Sequence, residues 1–384
     1  MVLKNNGQMK EPLIMYELVK DIKDPRIERR KRHLLVDIII IAIAAVICGA
    51  DNWNEIERFG KAKLEWFKTF LKLPNGIPSH DTFNRLFSLL QPEYIEDNMI
   101  EVFKKQIEVT REHIAIDGKT VRRSHDKKND ISAIHIVSAW LSKTGISLGQ
   151  VKVDDKSNEI TAIPDLLDKL DIKHSIISID AMGTQKKIAE KIIDNGGDYV
   201  LSLKENHPIL YNEVESFFQT KLKTNFKGQP HKYVTTQDKG HGRLEIRDYW
   251  MVSNIDFLTQ KDEWKGISSI GMVRSQITIN NETTTSYRYY ISSLNNAPIL
   301  FGNSVRNHWN IETSCHWVLD VAFREDESRT RKGHSAENFA SLRKIALNLL
   351  KNEKSITIGV KGKRLNAGWD ENYLLKVLGV NTEY

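Results

Sequence analysis

Apolar residues recur at helical spacing through roughly the first hundred positions, then switch to alternation near Ile114. The densest apolar run is Leu34–Ala50, which encloses Asp37 and closes near Gly49. It falls short of the roughly 20 apolar residues a membrane-spanning helix needs, so it predicts a buried core helix. Ile56, Phe59, Leu64, Trp66, Phe67 and Phe70 continue the helical period. Leu73–Ser79 is a loop by its prolines and glycine, and Ser79 caps a helix carrying Phe83, Leu86 and Leu90. A further helix is expected over Pro92–Val109. Residues 1–110 are thus expected to form a helical N-terminal domain.

The alternation beyond it predicts strands at Ile114–Asp117, Ile131–Leu141 and Gly145–Val153, an antiparallel meander. Helices at Asn158–Leu170 and Gly183–Asp194 then alternate with strands at Ser175–Asp180 and Asp198–Leu203. This pattern predicts an α/β class, a mixed sheet with helices on both faces, over residues 111–204. Four stretches rich in Thr, Tyr, Ile and Val follow, at Tyr233–Gln237, Leu244–Val252, Ile267–Ile279 and Thr284–Ser292. They predict a β-rich insertion over residues 205–295. Helical periodicity returns at Asn303–Val321 and Ala336–Leu350, placing the second part of the core at residues 296–384.

Composition narrows the chemistry. Hydrophobic content is 40% and charged content 28%, ordinary for a globular protein, and the net charge of +6 favours polyanionic partners. The two cysteines, Cys48 and Cys315, form no CxxC pair, which argues against a disulfide framework or cysteine zinc site and fits a reducing cytoplasm. Met1–Glu17 lacks the order of a signal peptide. Basic residues cluster at Arg26–His33 and again at His231, Lys232, Lys239, His241, Arg243 and Arg247. The first lies in the helical region, compatible with DNA binding or with an accessory packing domain, and the second reads either as a phosphate-contacting face or as a solvated edge that blunts strand pairing.

The candidate chemistry begins at Asp117. It follows Ile114 and Ile116 where a short strand should stop, with Gly118 for a turn and Lys119, Arg122 and Arg123 beside it. Asp180 ends Ile176–Ile179 in the same way. Taken singly, each has a plain reading: an Asp-Gly hairpin turn, and an aspartate near a helix start. Spacing of four places His308, Glu312, His316 and Asp320 along one helix face. The His-Glu-x-x-His order of zinc proteases is absent. Carboxylates from two strands and one helix suit Mg²⁺ or Mn²⁺ better. Lys204 and Asn206, just past a strand, are expected at the same sheet edge, and Arg306, Arg324, Arg329 and Arg331 add phosphate-seeking charge.

These segments together resemble a known family. They are Gly76-Ile-Pro-Ser-His-Asp-Thr-Phe-Asn-Arg85, Ala115-Ile-Asp-Gly-Lys-Thr120, Ile179-Asp-Ala-Met-Gly-Thr184, Tyr199-Val-Leu-Ser-Leu-Lys204, His308-Trp-Asn-Ile-Glu312, the stretch from His316 to Asp326, and Ala346-Leu-Asn-Leu-Leu350. The chain resembles the DDE transposases of bacterial insertion sequences, in the branch that includes the H-repeat-associated proteins. The resemblance implies a ribonuclease H-like core with Asp117, Asp180 and Glu312 as an acidic triad holding two Mg²⁺ (or Mn²⁺) ions. It implies metal-dependent cleavage and strand transfer on double-stranded DNA at element ends and target, by a homodimer on DNA. The DNA-contacting set expected around the triad is Lys119, Arg122, Arg123, Lys204, Asn206, Arg306, His308 and His316. Two departures stand out. The wider group carries Tyr-x2-Arg-x3-Glu-x6-Lys, whereas Val305, His308 and Leu319 occupy those positions here. The branch's Gly-Asn-Gln is replaced by Glu205-Asn206-His207. A non-enzymatic DNA-binding descendant and a purely hydrolytic ribonuclease H-like nuclease are the alternatives.

Overall fold

The computed structural model describes residues 4–5, 8–9, 14–105, 112–125, 132–154, 157–240 and 242–379. The expected helix end at Val109, the strand start at Ile131 and the basic residue His241 lie outside the described residues.

Alternation does produce a mixed sheet, and it is larger than the expected core. Its strands are β1 (His113–Thr120), β2 (His135–Leu141), β3 (Ile146–Lys152), β4 (Ile176–Ile179), β5 (Asp198–Leu203), β6 (Lys232–Gly240), β7 (Arg243–Val252), β8 (Ser269–Ile279) and β9 (Glu282–Ser292). Their spatial order is β3-β2-β1-β4-β5-β9-β8-β7-β6. β1–β3 form the antiparallel meander, while β1, β4 and β5 run parallel. The β-rich stretch forms no separate sheet. β9 pairs antiparallel with β5 through Tyr289–Ser292 against Val200–Leu203, so β6–β9 extend the same sheet. Their near ends are buried, whereas β6 and residues 282–288 are largely exposed. The β8–β9 hairpin turns on Asn280 and Asn281, with φ of 49° and 67°. Asparagine tolerates this left-handed backbone, and such two-residue turns match strand twist.

Period-two burial sorts the strand residues between two cores. Ile114, Ile116, Val137, Ala139, Ile177 and Ile179 meet the apolar sides of the helices Glu159–Lys169 and Lys186–Asp194. On the other face, Ala115, Trp140 and Ile146 join a helical core built from both ends of the chain. The helix Leu35–Ile47 is apolar almost all round and buried almost all round, as such a pattern requires. It packs with Phe83, Phe87, Leu342, Leu349 and Leu350. Asn338 on the helix Ser335–Asn352 donates to the carbonyls of Phe87 and Leu90 at 2.7 and 2.8 Å. The described residues 14–105 carry helices, as expected, but they share one core with the carboxy-terminal helices. Among the described residues no helix is long and apolar enough to cross a membrane.

Candidate active site

Strand register brings the first two carboxylates together. β1 and β4 pair in parallel from His113↔Ile176 through Ile116↔Ile179. The next residue on each strand is Asp117 and Asp180, so they stand side by side where the parallel ladder ends. β1 does not turn at Asp117 as expected; it continues to Thr120, pairing Asp117 with Ser138 of β2. Gly118 serves a different purpose from a turn. A Cβ there would sit 2.2 Å from Glu159 Oε1 and 2.5 Å from His135 Nε2, which bond each other at 2.7 Å.

The third carboxylate comes from the helix over this face of the sheet. Pro298–Ile311 is α-helical, Glu312–His316 is a π-helical turn, and α-helix resumes at Trp317–Phe323. A π turn widens the helix locally and breaks the even spacing of four. His316 Nδ1 lies 3.5 Å from Asp117 Oδ2 and 3.6 Å from Glu312 Oε2, whereas Asp320 turns elsewhere. One ligand atom from each of Asp117, Glu312 and His316 falls within 4.8 Å of the others, a spacing that one cation could bridge. Asp117, Asp180 and Glu312 line one cleft of about 300 Å³ with Ser178, Lys204, Arg288, His308 and Trp309. Among the described residues, the helix Pro92–Lys105 and the other amino-terminal elements contribute no lining residue to it.

The electrostatics are lopsided. Burial, then the charge of Glu312, pushes the Asp117 carboxyl up to about 8. The His316 ring beside Glu312 holds that carboxyl down to about 2. The two act as a pair in which Asp117, the more enclosed, keeps the shared proton. Among the described residues neither forms an ion pair with a lysine or arginine. Carboxylate oxygens that no lysine or arginine pairs with fit a hard divalent ion. His308 and His113 are held low by burial, to about 4 and about 3, and are therefore neutral at pH 7.

The loop after Asp180 is pinned. Gly183 N–H donates to Asp180 Oδ1 at 3.1 Å, Thr184 Oγ1 donates to the carbonyls of Asp180 and Ser202, and Asn206 Nδ2 donates to the Ala181 carbonyl at 2.7 Å. Asn206 is thus engaged in shaping this loop. Lys204 lines the cleft. Lys119 is spent inside the protein, 2.5 Å from Asp320, 2.8 Å from Glu325 and 3.5 Å from Asp326. Arg306 pairs with Asp238 at 3.0 Å, toward the β6–β7 hairpin. Arg122 is largely exposed and reaches Asp326 at 3.2 Å, and Arg123 is exposed, its carbonyl facing Arg331. In the basic clusters, Arg26 is folded onto Asp24, and Arg247 pairs with Glu245. Lys232, Lys239 and Arg243 are exposed.

Sequence reasoning missed the groups beneath the cleft. His113 bonds Ser142 Oγ and Ser178 Oγ, each at 2.8 Å, and Ser178 Oγ meets His308 Nδ1 at 2.8 Å. The available signal was period two: His113 and Asp117 share one face of β1, and Ser178 and Asp180 one face of β4. It also missed Arg288, stacked on Trp309 at 4.9 Å, because β9 meets the core only through tertiary pairing.

Comparison with known proteins adds an independent line. The transposase DDE domain family matches residues 108–349, and a companion family, described as DDE_Tnp_1-associated, matches residues 16–101. The chain is 42% identical over 375 residues to "Putative transposase YncI" of Escherichia coli O157:H7, covering 96% of this chain and 95% of that one. It is 40% identical over 370 residues to "H repeat-associated putative transposase YhhI" of Escherichia coli K12, covering 95% and 97%. Among solved structures, a piggyBac transposase synaptic complex with hairpin DNA aligns at 11% identity and a TM-score of 0.42, covering 95% of this chain and 76% of that one.

Proposed function

The chain belongs to the DDE-domain transposases, and on that premise we propose that it cuts DNA at the ends of an insertion sequence and joins the freed ends to target DNA. Asp117, Asp180 and Glu312 are the catalytic, metal-holding triad in this reading. The observation that carries it is the parallel register that sets Asp117 beside Asp180 in one cleft with Glu312, where among the described residues no lysine or arginine pairs with Asp117 or Glu312. The order β3-β2-β1-β4-β5, three antiparallel strands leading into parallel ones, supports a ribonuclease H-like core. When bound, Mg²⁺ or Mn²⁺ supplies the charge neutralisation that phosphodiester attack needs.

The chain's own residues do the remainder. Asp117 and Glu312 supply opposed carboxylates, with His316 Nδ1 lying between them. Asp180 is held still by Gly183 and the pinned loop. Lys204 and Arg288 face a DNA phosphate from the cleft wall, and Trp309 gives a nearby base a flat surface. Such groups act by positioning and charge. Recognition of the DNA ends is assigned to the amino-terminal helices and the exposed β6–β9 hairpins, since a metal site reads little sequence. The enzyme acts on DNA as a homodimer in this reading.

The test is incubation of the purified protein and Mg²⁺ with duplex DNA carrying the element ends, resolving cut and joined products. Joined product that disappears with EDTA and in Asp180→Asn supports strand transfer. Cutting without joining points to a hydrolytic nuclease, and DNA binding without cutting points to a DNA-binding protein.

A further inference from the structure

A single file of hydrogen bonds runs under the cleft from the Asn307 carbonyl through Ser142, His113 and Ser178 to His308. Ser142 Oγ donates to the Asn307 carbonyl at 3.3 Å. Each of the next three links is 2.8 Å long. His113 and Ser178 are buried, so water does not compete for them.

One proton sets the direction of the whole file. A carbonyl only accepts, so the Ser142 hydroxyl proton points to Asn307. Ser142 Oγ then accepts from His113 Nδ1–H. A neutral imidazole has one N–H and one lone pair, so His113 Nε2 accepts from the Ser178 hydroxyl. Ser178 Oγ in turn accepts from His308 Nδ1–H. The last atom, His308 Nε2, is left with a lone pair, and His308 lines the cleft with Asp117, Asp180 and Glu312. The opposite direction would leave the Ser142 contact to the Asn307 carbonyl without its proton and put an N–H on His308 Nε2.

We propose that His113 is a positioning residue which, through Ser178, fixes the tautomer of His308 so that Nε2 enters the cleft as a hydrogen-bond acceptor. A phosphate oxygen, itself an acceptor, is repelled by that atom, so His308 is not a phosphate contact. It accepts instead from a hydroxyl donor, the attacking water or 3′-hydroxyl of the reaction proposed above, on which this role rests. Tautomer choice by the partner of the other ring nitrogen is a general property of histidine.

The test reads the tautomer directly, on the full chain without DNA or metal. Long-range ¹H–¹⁵N spectra of ¹⁵N-histidine-labelled protein are recorded, with His308 assigned by its loss in His308→Gln. His308 should show an unprotonated Nε2. Ser178→Ala should give a mixture of tautomers, and Ser178→Thr, which keeps the hydroxyl, should retain the single one. Should Ser178→Ala fail to fold, Ser142→Ala, at the more accessible end, should give the same mixture. DNA cleavage by Ser178→Ala should fall about 10–100-fold, the usual cost of losing a partner that orients a site histidine. A protonated Nε2 in the wild type, an unchanged tautomer in the alanine variants, or mixed tautomers with undiminished cleavage overturns the proposal. Because the spectrum needs no catalysis, it remains readable even if the triad assignment fails.

Discussion

Two acidic clusters lie one strand interval apart, and they have opposite fates. Asp117 and Lys119 share a face of β1, and the helical run over that face carries Glu312 and His316, then Asp320. At the second cluster, Lys119 answers Asp320, Glu325 and Asp326. Burial opposes its ammonium, yet the surrounding carboxylates outweigh it and hold its pKa above the ordinary lysine range. At the first cluster no lysine or arginine answers Asp117 and Glu312 among the described residues, and Asp117 is left poised with a proton. The same strand and helix therefore make a structural knot closed on a lysine and a carboxylate pair that no lysine or arginine bridges. Carboxylates that pair with no lysine or arginine are the ones proposed above to hold a cation.

Substitution at the Asp117–Glu312 cluster should have the largest effect. Asp117→Asn keeps the shape and removes the charge, so Mg²⁺-dependent cleavage should be abolished, by about a thousandfold or more if the charge acts on the transition state. Salt-sensitive DNA binding, measured by filter retention at several ionic strengths, should survive. Retained cleavage would remove Asp117 from the site.

The Lys119 cluster should respond through the fold instead. Lys119→Met strands a buried Glu325 and a half-buried Asp320 without their cation. Breaking such a buried pair costs about 3–5 kcal/mol, measurable by urea unfolding. A loss below about 1 kcal/mol would show the knot to be no more than a surface ion pair.

Acidity should separate the clusters more gently. Asp117 titrates higher in the folded chain than in the unfolded one, where an ordinary aspartate lies near 3.9. The folded state thus holds the extra proton between about pH 4 and 8, and this contribution to stability is lost as pH rises through that window. Without metal, Asp117→Asn should flatten the slope and raise Tm at pH 8, by about 1 °C for each kcal/mol relieved. Mg²⁺ should raise the Tm of the wild type at pH 8 and leave the variant nearly unchanged. Equal metal responses would place the cation elsewhere. The smallest effect belongs to Arg122→Ala, because its ion pair with Asp326 is solvated. Stability should change by less than about 1 kcal/mol, and any loss of DNA affinity should appear as a shallower salt dependence.

Much of this was legible in the chain before folding. Period-two runs ending at Ile116 and Ile179 located the strands carrying Asp117 and Asp180, because alternation follows directly from the pleat. The helical period located Glu312 and the all-apolar helix Leu35–Ile47. The family resemblance named Asp117, Asp180 and Glu312, which the fold brings to one cleft. Local pattern misread Gly118 as a turn, because the approach of the Glu159–His135 pair comes from residues distant in sequence.

Local composition determined which residues are apolar, acidic or basic and how they alternate; tertiary structure alone decided which charges meet. Lys119 and Lys204 look alike in sequence, yet one is consumed by carboxylates about 200 residues away and the other lines the cleft. Parallel register, which depends on β4 docking beside β1, put Asp117 against Asp180. A π turn, set by packing of the helix over the sheet, drew His316 between Asp117 and Glu312 and released Asp320 toward Lys119. Periodicity is a property of neighbours along the chain, whereas charge balance is a property of neighbours in space.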